Sequence, residues 1–218
     1  MRKSLSLALA LSLTCILFAL PASAQLVAII DYVGFGWEDG GFPSSNPGDV
    51  LEVYAIATAV DPLFGVNTAT HEVTVHIYDL VSTGEFLDPF SGFTFVGYAA
   101  GMIDVYADPT QDSDWGTFPP AGASGWTNGT KILAGAFTDF TLVVNGSGAG
   151  AFEGNIDGIG GTVAELCSGC EYTFGGAFTK DTGAQIPSGY DLQIDGVLEV
   201  DAAVSASQTS FGRIKALY

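Results

Sequence analysis

The chain has 218 residues, of which 48% are hydrophobic and 12% aromatic, so it can bury a sizeable core despite its 29 glycines. Its formal net charge is −18, and no Lys or Arg occurs between residues 25 and 130. Such a charge repels nucleic-acid phosphates and anionic lipid headgroups, which excludes nucleic-acid binding, favours solubility and attracts divalent cations.

Residues 1–24 have the three parts of a secretory signal peptide. Two basic residues form the start, an apolar run extends from Leu5 to Leu20, and Ala-Ser-Ala at positions 22–24 supplies the small residues of a cleavage site. The apolar run is short for a membrane span, which needs about 20 residues. We therefore predict a secreted protein, extracellular, at the cell surface or periplasmic, whose residues 25–218 form one domain without a transmembrane span.

After the signal, short alternating segments are separated by turn residues, and no convincing amphipathic helix is present. Alternation with a period of two is typical of β-strands that bury one face. The predicted strands are 25–33, 50–60, 71–81, 93–106, 131–136, 137–144, 150–156, 172–179 and 190–201. This pattern indicates a β-sandwich or a barrel, and we predict an all-β, single-domain β-sandwich of jelly-roll type with Gly- and Asp-rich loops.

The longest alternating run covers positions 93–106. Its odd positions, including Phe93 and Phe95, are apolar or glycine and are expected to face the core. Three residue pairs that tolerate the positive φ angles of tight turns predict hairpins. These pairs are Asn145-Gly146, Asp157-Gly158 and Asp195-Gly196.

The first strand, Gln25–Val33, is apolar and directly follows the predicted cleavage site. It has two possible partners. It can pair within its own sheet, or it can be donated to the edge of a neighbouring subunit and so form a filament. The sequence leaves both possibilities open.

The densest group of carboxylates follows the longest alternating run. Asp104, Asp108, Asp112 and Asp114 supply hard oxygen ligands near a turn, which is the chemistry of a calcium site. The segment is not an EF-hand, because the glutamate that closes that loop is missing. The alternative is that these aspartates begin turns and stay solvated.

Cys167 and Cys170 are the two cysteines that remain after the signal peptide. Because export places them in an oxidising compartment, we predict a structural disulfide between them. A redox centre would need a thioredoxin-like βαβ setting, and a zinc site would need a second pair of ligands.

Catalytic motifs are weak in this sequence, and we predict that the protein is not an enzyme. The two histidines, His71 and His76, have the wrong spacing for a zinc protease, and no serine sits in a nucleophile elbow. Paired carboxylates for glycoside hydrolysis stay open. Carbohydrate binding stays open as well, because three tryptophans could stack on sugar rings. They are Trp37, Trp115 and Trp126.

Three segments together resemble parts of uncharacterised exported bacterial β-proteins related to the PEP-CTERM matrix proteins. They are IDVYADPTQDSDWG (103–116), NGTKILAGAFTDF (128–140) and PSGYDLQIDGVLEV (187–200). The resemblance implies a role at the bacterial surface or in an extracellular matrix. The tail lacks the Pro-Glu-Pro sorting motif, so it does not imply anchoring by that route.

Together these features predict a secreted structural or adhesive protein that associates with itself or with surface polymers. A calcium- or carbohydrate-binding module is the alternative. A carboxylate-based hydrolase and an outer-membrane barrel are further alternatives, the latter because the tail alternates up to the final Tyr218.

Overall fold

The computed structural model describes residues 25–116, 124–162, 171–180 and 186–202. Residues 26–201 form one compact unit. Its strands are β1 (Gln25–Glu38), β2 (Val50–Val60), β3 (Glu72–Leu87), β4 (Thr94–Ala99), β5 (Met102–Asp108), β6 (Thr130–Val144), β7 (Ala149–Gly160), β8 (Glu171–Thr179) and β9 (Leu192–Ala202). A 3-10 turn at Pro62–Phe64 and helix α1 (Ser124–Thr127) are short. No helix in the described ranges has the length and hydropathy needed to cross a membrane.

The strands form one antiparallel sheet in the order β2-β1-β9-β8-β7-β6-β4-β3, and it closes on itself because β2 also pairs with β3. β4 and β5 share the position between β3 and β6, so the described strands make a closed eight-stranded barrel with one extra strand. The all-β prediction is confirmed, but the jelly-roll β-sandwich is wrong. Both architectures show the same alternation, and closure depends on a pairing between distant strands that no local pattern reveals.

The N-terminal strand belongs to its own barrel. Residues 30–38 of β1 pair with β2, with a register shift between Asp31 and Tyr32. Because β1 lies between β2 and β9, pairing within its own sheet is the arrangement that this structure contains.

β4 and β5 run end to end and are separated by a break at Ala100 and Gly101. Both residues have positive φ angles, of 59° and 105°. A Cβ atom added to Gly101 would lie 2.4 Å from a methyl carbon of Leu80, so this position needs glycine for space as well as for conformation. The break acts as a bulge and shifts the alternation by one residue.

This shift corrects the prediction for positions 93–106. The core residues are Val96 and Tyr98 in β4, and Ile103 and Val105 in β5. Odd positions therefore face the core only after the break. Phe93 and Phe95, which the unbroken alternation predicts to be buried, are 41% and 38% exposed.

Of the three predicted hairpins, Asn145-Gly146 joins β6 to β7, whereas Asp157-Gly158 and Asp195-Gly196 lie inside strands. At Gly196 the reason is close approach between β8 and β9. An added Cβ atom would lie 2.2 Å from the carbonyl oxygen of Gly175 and 2.7 Å from the hydroxyl oxygen of Tyr32. Glycine is needed here for space between strands and not for a turn.

The barrel interior is filled by alternate side chains of all the strands. Tyr32 stacks on Phe174 with ring centroids 4.5 Å apart, and its hydroxyl donates a hydrogen bond to the carbonyl oxygen of Gly175 at 3.1 Å. Other buried members of this core are Leu51, Val53, Val75, Ile77, Ile103, Leu133, Phe140, Leu142, Phe152 and Leu198.

A second apolar cluster lies on the outer face of β1 and β2. Its buried members are Tyr54, Trp126 and Tyr190. Trp126 of α1 is 1% exposed, and its ring lies 4.3 Å from Trp115 and 5.5 Å from Tyr54. The Thr74 hydroxyl donates to the Trp126 carbonyl oxygen at 2.7 Å. These contacts fasten α1 and Trp115 to the outside of the barrel and so position the loop that follows β5.

Candidate functional site

An acidic cluster lies where β3 begins and β5 ends. Glu72 is the first residue of β3 and pairs directly with Asp108, the last residue of β5. Asp112 comes from the loop after β5, and one carboxylate oxygen from each residue lies within 4.8 Å of the other two. The register thus places two like charges opposite each other, which is unfavourable without a cation between them, and the loop adds a third.

Neutral donors hold these carboxylates. Ser113 donates to Glu72 from its backbone N–H at 2.9 Å and from its hydroxyl at 2.7 Å. Thr110 makes the same two kinds of bond to Asp108, at 2.9 and 2.7 Å. Asp108 is 2% exposed, and within the described ranges no Lys or Arg forms an ion pair with the cluster. The donor set is entirely oxygen, as calcium prefers.

The predicted calcium ligands are only partly brought together. Asp108 and Asp112 meet in the cluster, whereas Asp104 has other partners and Asp114 accepts a backbone N–H at 2.7 Å within its own turn. Sequence reasoning misses Glu72, because this residue comes from a separate strand. The signal that could have found it is the pairing of the two predicted strands 71–81 and 93–106.

An open groove of about 530 Å³ adjoins the cluster. It runs between the end of β2 and the start of β3, and Glu72, His71 and Gln111 line it. The groove gives the Glu72 side of the cluster a route to solvent, which a small hydrated ligand would need.

A second polar group crosses the outer face of β2 and β3. His76 Nε2 lies 2.7 Å from Glu52 Oε1, and the Tyr54 hydroxyl donates to the same oxygen at 2.7 Å. The His76 ring stacks against Tyr54 and Tyr78, with centroids 4.6 and 4.8 Å away. Burial alone would raise the pKa of Glu52, but the hydrogen bonds from His76 and Tyr54 outweigh it and lower that pKa. The charged Glu52 thus fixes the imidazole in place.

Asp104 forms a third polar group on the outer face of β5. Its Oδ2 accepts hydrogen bonds from Lys131 at 2.7 Å, from Tyr106 at 3.0 Å and from Tyr78 at 3.2 Å. The hydrogen bond from Lys131 to Asp104 raises the pKa of this lysine. Asp104 is therefore the partner of Lys131 in an ion pair and does not belong to the acidic cluster.

The three tryptophans considered for sugar stacking all belong to the second apolar cluster, where Trp37 and Trp115 are partly buried. His71 lines the groove, whereas His76 is stacked between two tyrosines. Trp126 is buried, so it cannot stack on a sugar ring, and Asp108 is too buried to flank a scissile bond. Cys167 and Cys170 lie outside the described residues, so the predicted disulfide has no support from the structure.

The hairpin between β3 and β4 carries five exposed large apolar side chains, and we call residues Glu85–Phe95 the apolar hairpin. They are Phe86 (64% exposed), Leu87 (60%), Phe90 (98%), Phe93 (41%) and Phe95 (38%). Phe86 and Phe95 are direct cross-strand partners. The Asp88 carboxylate holds the turn by accepting the backbone N–H groups of Phe90 and Ser91, at 3.1 and 3.2 Å. The exposed phenylalanines therefore sit on an ordered turn.

The fold and these sites define a closed antiparallel β-barrel with an oxygen-rich acidic cluster and an apolar hairpin. No family model, curated protein or solved structure matches the chain.

Proposed function

We propose that this chain is a secreted, non-enzymatic protein that serves as a structural or adhesive subunit of the bacterial cell exterior. The apolar hairpin carries the proposal. Five large apolar side chains exposed together approach the largest patches found on monomers, and such patches mark contact sites with other macromolecules. The filled barrel interior also supports a function on the outer surface and loops.

The outward-facing residues of the barrel argue against the alternative of a membrane-embedded barrel. Midway along β7, Glu153, Asn155 and Asp157 are exposed, and Asp195 is exposed on β9. A barrel in an outer membrane presents a continuous apolar band on this side.

Fractionation and adhesion assays test the proposal. The full chain, produced in a bacterial host that normally exports it, is expected in the medium or at the cell surface and to promote cell aggregation. Phe90→Ser should reduce aggregation without changing export, because Phe90 is 98% exposed and makes no core contact. Ile159→Ser, at a residue that is 59% exposed on β7, is the matched control. Retention in the cytoplasm, or equal aggregation by both variants, would contradict the proposal.

Calcium binding is a second candidate function, favoured by the three carboxylates of the acidic cluster. A divalent cation would relieve their mutual repulsion. Calcium at a hundred times its Kd should stabilise the fold by about 2.7 kcal/mol, or roughly 5–10 °C in Tm for a chain of this size. Asp112→Asn should abolish this shift, whereas Asp114→Asn should keep it. An equal Tm in chelator and in millimolar calcium would rule the site out.

A further inference from the structure

We infer that the apolar hairpin and the sheet face beside it pack against a second copy of this chain. The inference rests on the proposed function, since it names the partner of the same surface. It begins with an apolar row that crosses the barrel. Phe86, Phe95, Val143, Ala151 and Ala177 are successive cross-strand partners on β3, β4, β6, β7 and β8.

The shape of this surface suits contact with another sheet. The row faces outward, because its neighbours along each strand, such as Val96, Leu142 and Phe152, are buried in the core. The adjacent row runs through Gly84, Gly97, Thr141, Glu153 and Gly175. Beside the phenylalanines it consists of Gly84 and Gly97, which leave a low surface that a second sheet face can approach closely.

The exposed area is that of a weak, concentration-dependent dimer. Leu87 faces the opposite side of the hairpin from Phe86 and Phe95, so the outward patch consists of the four phenylalanines. Taking a fully exposed Phe as roughly 200 Å², their exposed fractions amount to about 480 Å². Two copies together would remove roughly 960 Å² from water, which is the size of a weak or transient interface. Because the same patch serves on both copies, the contact is isologous and closes at a dimer.

Charge and side-chain chemistry favour a second copy over a lipid surface. The apolar hairpin contains Glu85 and Asp88 and no basic residue, so anionic headgroups are repelled. Its aromatic residues are all phenylalanines, which lack the polar tips that anchor Trp and Tyr at a bilayer interface. The exposed phenylalanine rings can instead pack against the same rings of a second copy.

Sedimentation velocity of the purified exported chain, from micromolar to submillimolar concentration, tests the inference. We expect a concentration-dependent dimer. Phe90→Ser should raise the dimer Kd by about tenfold or more, since a buried aromatic anchor contributes over 1.4 kcal/mol. Phe86→Ser should act in the same direction, and Ile159→Ser should leave the Kd unchanged. Thermal melts of each variant check that the barrel is intact.

Three results would overturn the inference. The first is a monomer at all concentrations, and the second is a dimer whose Kd ignores both hairpin variants. The third is a monomer that floats with phosphatidylcholine vesicles and loses this binding in Phe90→Ser, because the patch then docks on lipid. If the chain forms a dimer whose Kd rises in the hairpin variants but does not promote cell aggregation, the inference is upheld and the proposed function is rejected.

Discussion

Gly196→Ala tests whether β9 runs through the position where the sequence predicts a hairpin. The added Cβ atom would lie 2.2 Å from the carbonyl oxygen of Gly175 and 2.7 Å from the hydroxyl oxygen of Tyr32. Because the first of these is backbone, the two strands must separate. Overpacking typically destabilises by 1–3 kcal/mol, and this contact should lie at the upper end, about 3 kcal/mol. For a domain of this size that corresponds to a fall in Tm of about 6–12 °C.

Gly175→Ala is the matched control in the neighbouring strand. Its Cβ atom would meet only the carbonyl oxygen of Phe152, at 3.5 Å, which is an ordinary contact. Stability should therefore change by no more than about 0.5 kcal/mol. The assay is thermal unfolding followed by circular dichroism, with urea unfolding to supply the free energies.

A double-mutant cycle with Tyr32→Phe separates a strand from a turn. In the barrel, the Tyr32 hydroxyl bonds to the carbonyl of Gly175, and the new methyl group would displace it. The double variant should therefore lose less free energy of unfolding than the sum of the two single variants. If Gly196 were at a solvent-exposed turn, the two losses would simply add. Additive losses, or a Gly196→Ala Tm equal to that of the Gly175→Ala control, would refute the reasoning.

Two further predictions concern the core and the end of β1. Phe174→Ala should lower the free energy of unfolding by about 3–5 kcal/mol, because Phe174 is 1% exposed and stacks on Tyr32. The control Phe90→Ala, at a residue that is 98% exposed, should change it by less than about 0.5 kcal/mol. Equal urea midpoints would show that the ring is not in the core. Burial raises the pKa of Glu38 from its ordinary value near 4.5, although hydrogen bonds from Ser45 and Tyr98 act in the opposite direction. The stabilisation that protonated Glu38 provides is complete below pH 4.5 and is lost as pH rises through the raised pKa. The free energy of unfolding of Glu38→Gln should therefore rise relative to that of the native chain between pH 4 and 7. A free-energy difference that stays constant over that range would contradict the shift.

Much of the secondary structure was predictable, because alternation is a local property. The predicted strand 50–60 coincides with β2, and 172–179 lies within β8. The break at Ala100 and Gly101 was not predictable from alternation. Both the odd and the even positions of the run 93–106 include apolar residues, so either set could face the core. Only the bulge shows that the buried set changes from even to odd positions.

The candidate site was predictable to the extent that its residues are close in sequence. Asp108 and Asp112 belong to one segment and were found together, whereas Glu72 depends on the register between β3 and β5. Asp104 lies outside the cluster and pairs with Lys131, and closeness in sequence does not reveal this partner because it comes from another strand. Likewise, composition cannot show that Phe86 and Phe95 are cross-strand partners on an exposed face.

The pairing of β1 with β9 has a consequence for the order of folding. The backbone N–H of Glu38 bonds to the carboxylate of Asp191, at 2.9 Å and across a sequence separation of 153 residues. The sheet therefore cannot close until β9, the last of the described strands, has been synthesised and pairs with β1. Contacts between such distant residues slow folding, since the entropy of closing the loop is lost before the strands gain their contacts. Truncation before β9 should leave β1 without one of its two neighbours, and the product should then be prone to aggregate through that free edge.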